Sequence, residues 1–70
     1  MAKHQVAKVI EVVGTSEEGW AEAADAAVRV ASKSIDHITG VQVESMTAQV
    51  RDGKISAYKT TVKIAFGVND

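Results

Sequence analysis

With 70 residues, no cysteine and a formal net charge of −1, the chain reads as one domain that has neither disulfides nor thiolate metal sites to hold it. A domain of this size buries too small a share of its surface to be secure alone, so association with further copies is the expected stabiliser. Charges are scattered without a basic stripe, no apolar run is long enough to span a bilayer and no signal-peptide pattern is present, so neither nucleic acid nor membrane is an expected partner and a cytoplasmic location is expected.

Residues 1–4 are expected to fray. Val6 to Val13 reads as a strand, with Val6, Lys8, Ile10 and Val12 on one face and Ala7, Val9, Glu11 and Val13 on the other. Neither face is cleanly polar, which points to cover by another subunit. Gly14 is expected to break this strand into a helix running from Thr15 to Ile38. Thr15 followed by Glu18 fits a capping box, and Glu17 and Glu18 suit the positive end of the helix dipole. At ~100° per residue, Trp20, Ala23, Ala24, Ala27, Val28, Val30, Ala31, Ser34, Ile35 and Ile38 share one side, while Glu22, Asp25, Arg29, Ser32, Lys33 and Asp36 share the other. The alanines let a sheet approach closely, and Trp20 on this stripe is expected in the core. The helix is expected to end between Ser34 and Gly40, with Gly40 as a stop.

Val41 to Arg51 reads as a second strand, and Arg51-Asp52-Gly53-Lys54 as a hairpin with a type I′ turn. Lys54 to Val68 is a third strand. Its row of Tyr58, Thr60, Val62, Ile64 and Phe66 is expected to pack on the helix, and Ile55, Ala57, Lys59, Thr61, Lys63 and Ala65 face away. The fold class is therefore α+β, in the order β-α-β-β. A three-stranded antiparallel sheet is expected to pack on one helix, with the third strand in the middle and two open edges.

No spacing ties a serine or threonine to His4 or His37 as a nucleophile–base pair, so the chain is not expected to be an enzyme. His37 beside Asp36 reads as a solvated pair. Asp36 and Glu44 offer the oxygen ligands a hard cation needs, at a subunit contact. Gly14-Thr15-Ser16 ahead of a helix has free N–H groups that suit an anion, though capping explains the same residues. Lys59 and Lys63 share a face of the third strand and need partners if that face is enclosed, anionic ligands being one solution.

Taken together, the order of elements and several stretches resemble the dodecin family. They are Val9-Ile10-Glu11-Val12-Val13-Gly14-Thr15-Ser16-Glu17-Glu18, the alanines at 23, 24, 27 and 31, Asp52-Gly53, and Tyr58 through Val62-Lys63-Ile64-Ala65-Phe66. The resemblance covers nearly the whole chain. It implies a small protein that assembles into a hollow homododecamer and binds a flavin, riboflavin or FMN, for storage rather than catalysis. In the flavin-binding members a Trp-Phe-Glu-Val run supplies a ring that stacks on the isoalloxazine, followed shortly by Arg-Gly, and a Gln on the third strand bonds its polar edge. Aligned without a gap, the run falls on Gly40, Val41, Gln42 and Val43, the Arg-Gly on Thr47 and Ala48, and the Gln on Lys59. Gly40, Gln42 and Lys59 are thus the candidate ligand-binding residues by matched position, with the stacking ring absent and a donor-only side chain at the Gln position. A calcium-binding subgroup also lacks that ring, and Trp20 and Asp36 resemble it, with no metal ligand set that can be matched residue by residue. Calcium binding or a ligand-free structural cage is the alternative function.

Overall fold

The computed structural model describes residues 6–68, so the expectation for residues 1–4 lies outside the described residues, as does His4. The elements are β1 (Val6–Ser16), α1 (Trp20–Ala31), β2 (Ile38–Arg51) and β3 (Lys54–Val68). The sheet order is β1-β3-β2, with both pairings antiparallel. β3 has the expected span and the expected central place. Its turn from β2 puts Asp52 at φ 54° and Gly53 at φ 76°, the left-handed pair that a type I′ hairpin requires and that Asp-Gly tolerates.

The α1 face is set by alanine. Ala23, Ala27 and Ala31 are buried against Val62 and Ile64, with Ile10, Val12, Ala24, Val28, Ile35 and Ile38 packed around them. Buried Thr60 donates its hydroxyl to the Trp20 carbonyl at 2.9 Å, which satisfies the polar group that burial would otherwise penalise. The close approach is visible at Gly14. A Cβ built there would run into the Ala23 carbonyl and meet the Ala27 Cβ at 3.1 Å.

That contact corrects the expected helix start. Gly14 does not end β1. Pairing continues through Gly14↔Thr60, Thr15↔Lys59 and Ser16↔Tyr58, because each further residue gains ladder hydrogen bonds and Gly14 lets the helix lie directly above. The Thr15–Glu18 capping box therefore does not form. Gly19 is the N-cap with no side-chain cap, Glu22 is the acidic residue of the first turn, and the Glu18 N–H donates to Ser16 Oγ at 2.9 Å. Gly14-Thr15-Ser16 is therefore strand and not the helix N-terminus expected to offer its amides to an anion.

The helix also ends earlier than expected, at Ala31, with Ser32 as C-cap. The Ser34 and Ile35 amides bond to the Ala31 carbonyl at 3.2 and 3.0 Å, closing a turn. The chain then extends to reach the β2 edge. His37, not Gly40, takes the left-handed bend at φ 64°, and its carbonyl accepts from the Gly67 N–H at 2.9 Å. Ile35 and Ile38 thus reach the core from the connection and from β2. β2 begins at Ile38 rather than Val41 and carries register shifts at Ile38/Gly40, Val43/Ser45 and Gln49/Val50.

Two stripe residues also depart from the helix reading. Val30, at the margin of the apolar arc, is 62% exposed. Trp20 is half-buried at the helix start instead of sitting in the core. Its Nε1 donates to the Thr47 carbonyl at 2.8 Å, and its ring meets Tyr58 edge-on with centroids 4.7 Å apart. An indole needs a partner for its N–H, and the β2 backbone provides one. Among the described residues no helix is long and apolar enough to cross a membrane.

Candidate functional site

The helix occupies one face of the sheet and leaves the other open. Alternation along β3 sends Tyr58, Thr60, Val62 and Ile64 under α1 and Lys59, Thr61, Lys63 and Ala65 to the open face. Register then builds rows across three strands. In chain order along β1 they are Val9–Ala65–Gly40, Glu11–Lys63–Gln42, Val13–Thr61–Ser45 and Thr15–Lys59–Thr47.

Along the first two rows runs an open groove of about 490 Å³, lined by Val9, Gly40, Gln42, Lys63 and Ala65, with Val41 from between the two rows on β2. Of the candidate residues, Gly40 and Gln42 are brought together there. Lys59 is not in the groove. It stands on the same face two rows beyond Lys63, between Thr15 and Thr47. The matched positions had not pointed to Val9 or Ala65 as groove walls, yet both share a cross-strand row with Gly40. Pairing register was the signal that would have found them, and register depends on the β2 bulges, which sequence does not announce.

Two features decide what the groove can hold. A Cβ at Gly40 would meet nothing within 4 Å, so the position is open space and not a packed glycine. No aromatic ring lines the groove, since Tyr58 and Phe66 belong to the helix-side row and Trp20 bonds to Thr47 from α1. The residues present therefore do not fit a flavin held by stacking. The polar contribution is Gln42 with the Lys63–Glu44 pair, at 3.6 Å between Nζ and Oε2 and 41% exposed on each side. At that length and exposure the pair contributes at most ~1 kcal/mol.

Calcium fares no better within one protomer. Among the described residues no group of three or more His, Cys, Asp or Glu side chains comes together, Glu44 is engaged with Lys63, and Asp36 lies in the α1–β2 connection.

The comparisons with known proteins agree with this architecture. The family model described as Dodecin matches residues 6–69. The chain is 29% identical over 66 residues to the dodecin of Thermus thermophilus, covering 94% of this chain and 96% of the relative. It superposes on the structure of dodecin from Streptomyces coelicolor with a TM-score of 0.92 at 28% identity, covering 99% of both chains. It is also similar to a calcium dodecin from Mycobacterium tuberculosis, a calcium-chelating antigen with a novel calcium-binding site. There the identity is higher, 35%, but the TM-score is lower, 0.79, over 91% of each chain. Sequence, strand order and superposition converge, and the chain belongs to the dodecin family as a small binding protein of the dodecin type.

Proposed function

We propose that the protein is a homo-oligomeric store for a small ligand, assembled as a dodecamer, with the flavin site of its family diverged. The observation that carries this reading is that the groove is unfinished in one protomer. Val9 and Val13 on the open face are 58% and 57% exposed, and Val41, Val43 and Met46 of β2, opposite Ile64, Val62 and Thr60 on the helix side, are 49%, 50% and 60% exposed. Apolar surface on both faces of one small sheet is stabilised only when something covers it. Copies of the chain placed against the open face and the β2 edge cover it and close the groove together. Riboflavin and FMN then lack the ring on which the family's ligand stacks, and they bind weakly or not at all.

A calcium-binding or ligand-free cage is the second reading, favoured by the 35% identity to the calcium dodecin. Native mass spectrometry of the purified protein, titrated separately with riboflavin, FMN and calcium, tests both. A dodecamer that ignores flavins supports a diverged store. A dodecamer gaining flavin masses overturns the divergence, and one gaining calcium favours the second reading. A monodisperse monomer sinks both.

A further inference from the structure

The two lysines that β3 sends to the open face differ in how they are partnered. Lys63 stands opposite Glu11 in the β1 pairing and has Glu44 at 3.6 Å, so a carboxylate answers its charge. Lys59 stands between Thr15 and Thr47, and among the described residues no carboxylate lies within ion-pair distance of it. It is nevertheless half-buried, and the row between the two lysines adds only Val13, Thr61 and Ser45. This end of the open face is therefore one uncompensated ammonium set among hydroxyls. If copies of the chain enclose the face, an unanswered ammonium is costly and favours a bound anion.

We propose that the Thr15–Lys59–Thr47 row is a subsite for a phosphate-class oxyanion, the head group of the ligand that the open face holds. The inference rests on the preceding reading in taking that face as the ligand side. Neighbouring strands lie ~4.8 Å apart, so the three side chains span roughly 10 Å, wider than the two oxygens of one carboxylate and suited to a phosphate or diphosphate with oxygens pointing several ways. Lysine binds phosphate as a point charge, and threonine hydroxyls donate to the remaining oxygens. The row also carries its own reporter. The Thr47 carbonyl accepts from Nε1 of Trp20, the only tryptophan, whose ring touches Tyr58 next to Lys59.

The test uses the full chain in phosphate-free buffer, titrated with pyrophosphate. Calorimetry reads binding, Trp20 emission reads its place, and light scattering reads assembly. The expected result is saturable heat with a matching change in Trp20 emission, and acetate at equal ionic strength producing neither. Lys59→Gln is expected to weaken binding by about tenfold or more, the loss of one charged hydrogen bond. Lys59→Arg should restore most of it, and Lys33→Gln, at an exposed position just past the end of α1, should leave it within about threefold. Unligated Trp20 emission and particle mass check that each variant is folded and assembled. Absence of saturable binding, equal binding by Lys59→Gln, equal response to acetate, or heat without a Trp20 change overturns the proposal. A monomer that still binds pyrophosphate through Lys59 overturns the assembly reading and leaves this one standing; a dodecamer that does not bind overturns this one alone.

Discussion

β3 has two flanks, and they are treated differently. On the β1 side, Ile10 and Val12 pack with Val62 and Ile64 under the alanine stripe of α1, and Gly14 brings the helix down onto the sheet. On the β2 side the helix makes little contact, and Val41, Val43, Met46 and Val50 are 49%, 50%, 60% and 67% exposed. Length explains part of the difference. Twelve helical residues run about 18 Å, whereas the fifteen residues of β3 run about 50 Å, so most of the hairpin extends past any cover the helix provides. The molecule measures 56 × 20 × 13 Å, the shape of a ribbon and not of a ball. The lesson is a division of labour: one flank packs the protomer core, and the other leaves apolar surface exposed.

The sharpest way to break that division is a matched pair of truncations. Ile64→Ala, at a position with no exposure, is expected to cost ~2–5 kcal/mol of stability, read from urea denaturation. Val43→Ser on the opposite flank is expected to change protomer stability by less than ~0.5 kcal/mol while lowering assembled mass on dilution. An equal cost in dissociated protein would mean that β2 belongs to the protomer core after all.

Glycine offers a second pair. Gly14→Ala forces its new methyl into the Ala23 backbone and is expected to cost ~1–3 kcal/mol, because a helix must move to admit it. Gly40→Trp enters open space and leaves stability unchanged. What it is expected to change is riboflavin affinity, by ~1–3 kcal/mol or about 5- to 150-fold, the range of a single aromatic stack, read by quenching of flavin fluorescence. No gain would show that position 40 does not face the ligand.

These glycines also mark where the sequence was legible and where it was not. Period-two alternation and Asp52-Gly53 placed β3 and its turn correctly, because that pattern reports faces directly. The alanine stripe identified the face of α1. Its start was misread because Gly-Thr-Ser-Glu-Glu carries a real capping pattern, and only pairing with β3 decides that Thr15 stays in the strand. Its end was misread because Ile35 and Ile38 keep the helical spacing and still reach the core from non-helical backbone. At the site, Gly40 and Gln42 fell together, whereas Lys59 stood apart with Thr15 and Thr47, since a matched position carries no information about which neighbours the register supplies.

The smallest effect tests the covered flank from outside. On the outward face of α1, Arg29 pairs with Asp25 one turn earlier, both side chains mostly exposed at 69% and 67%. Arg29 also lies in the last turn, where a positive charge suits the helix dipole. Water and salt screen both contributions, so Arg29→Ala is expected to cost only ~0.3–0.5 kcal/mol, read by thermal melting. That cost should shrink as ionic strength rises and the Debye length falls below the separation of the charges. The same substitution should leave assembled mass untouched, because the helix exterior has no part in covering the β2 flank. A cost well above ~1 kcal/mol, or a change in assembled mass, would place the outer face of α1 at a contact between copies. The covered flank would then share in association, and the division between the two sides of β3 would fail.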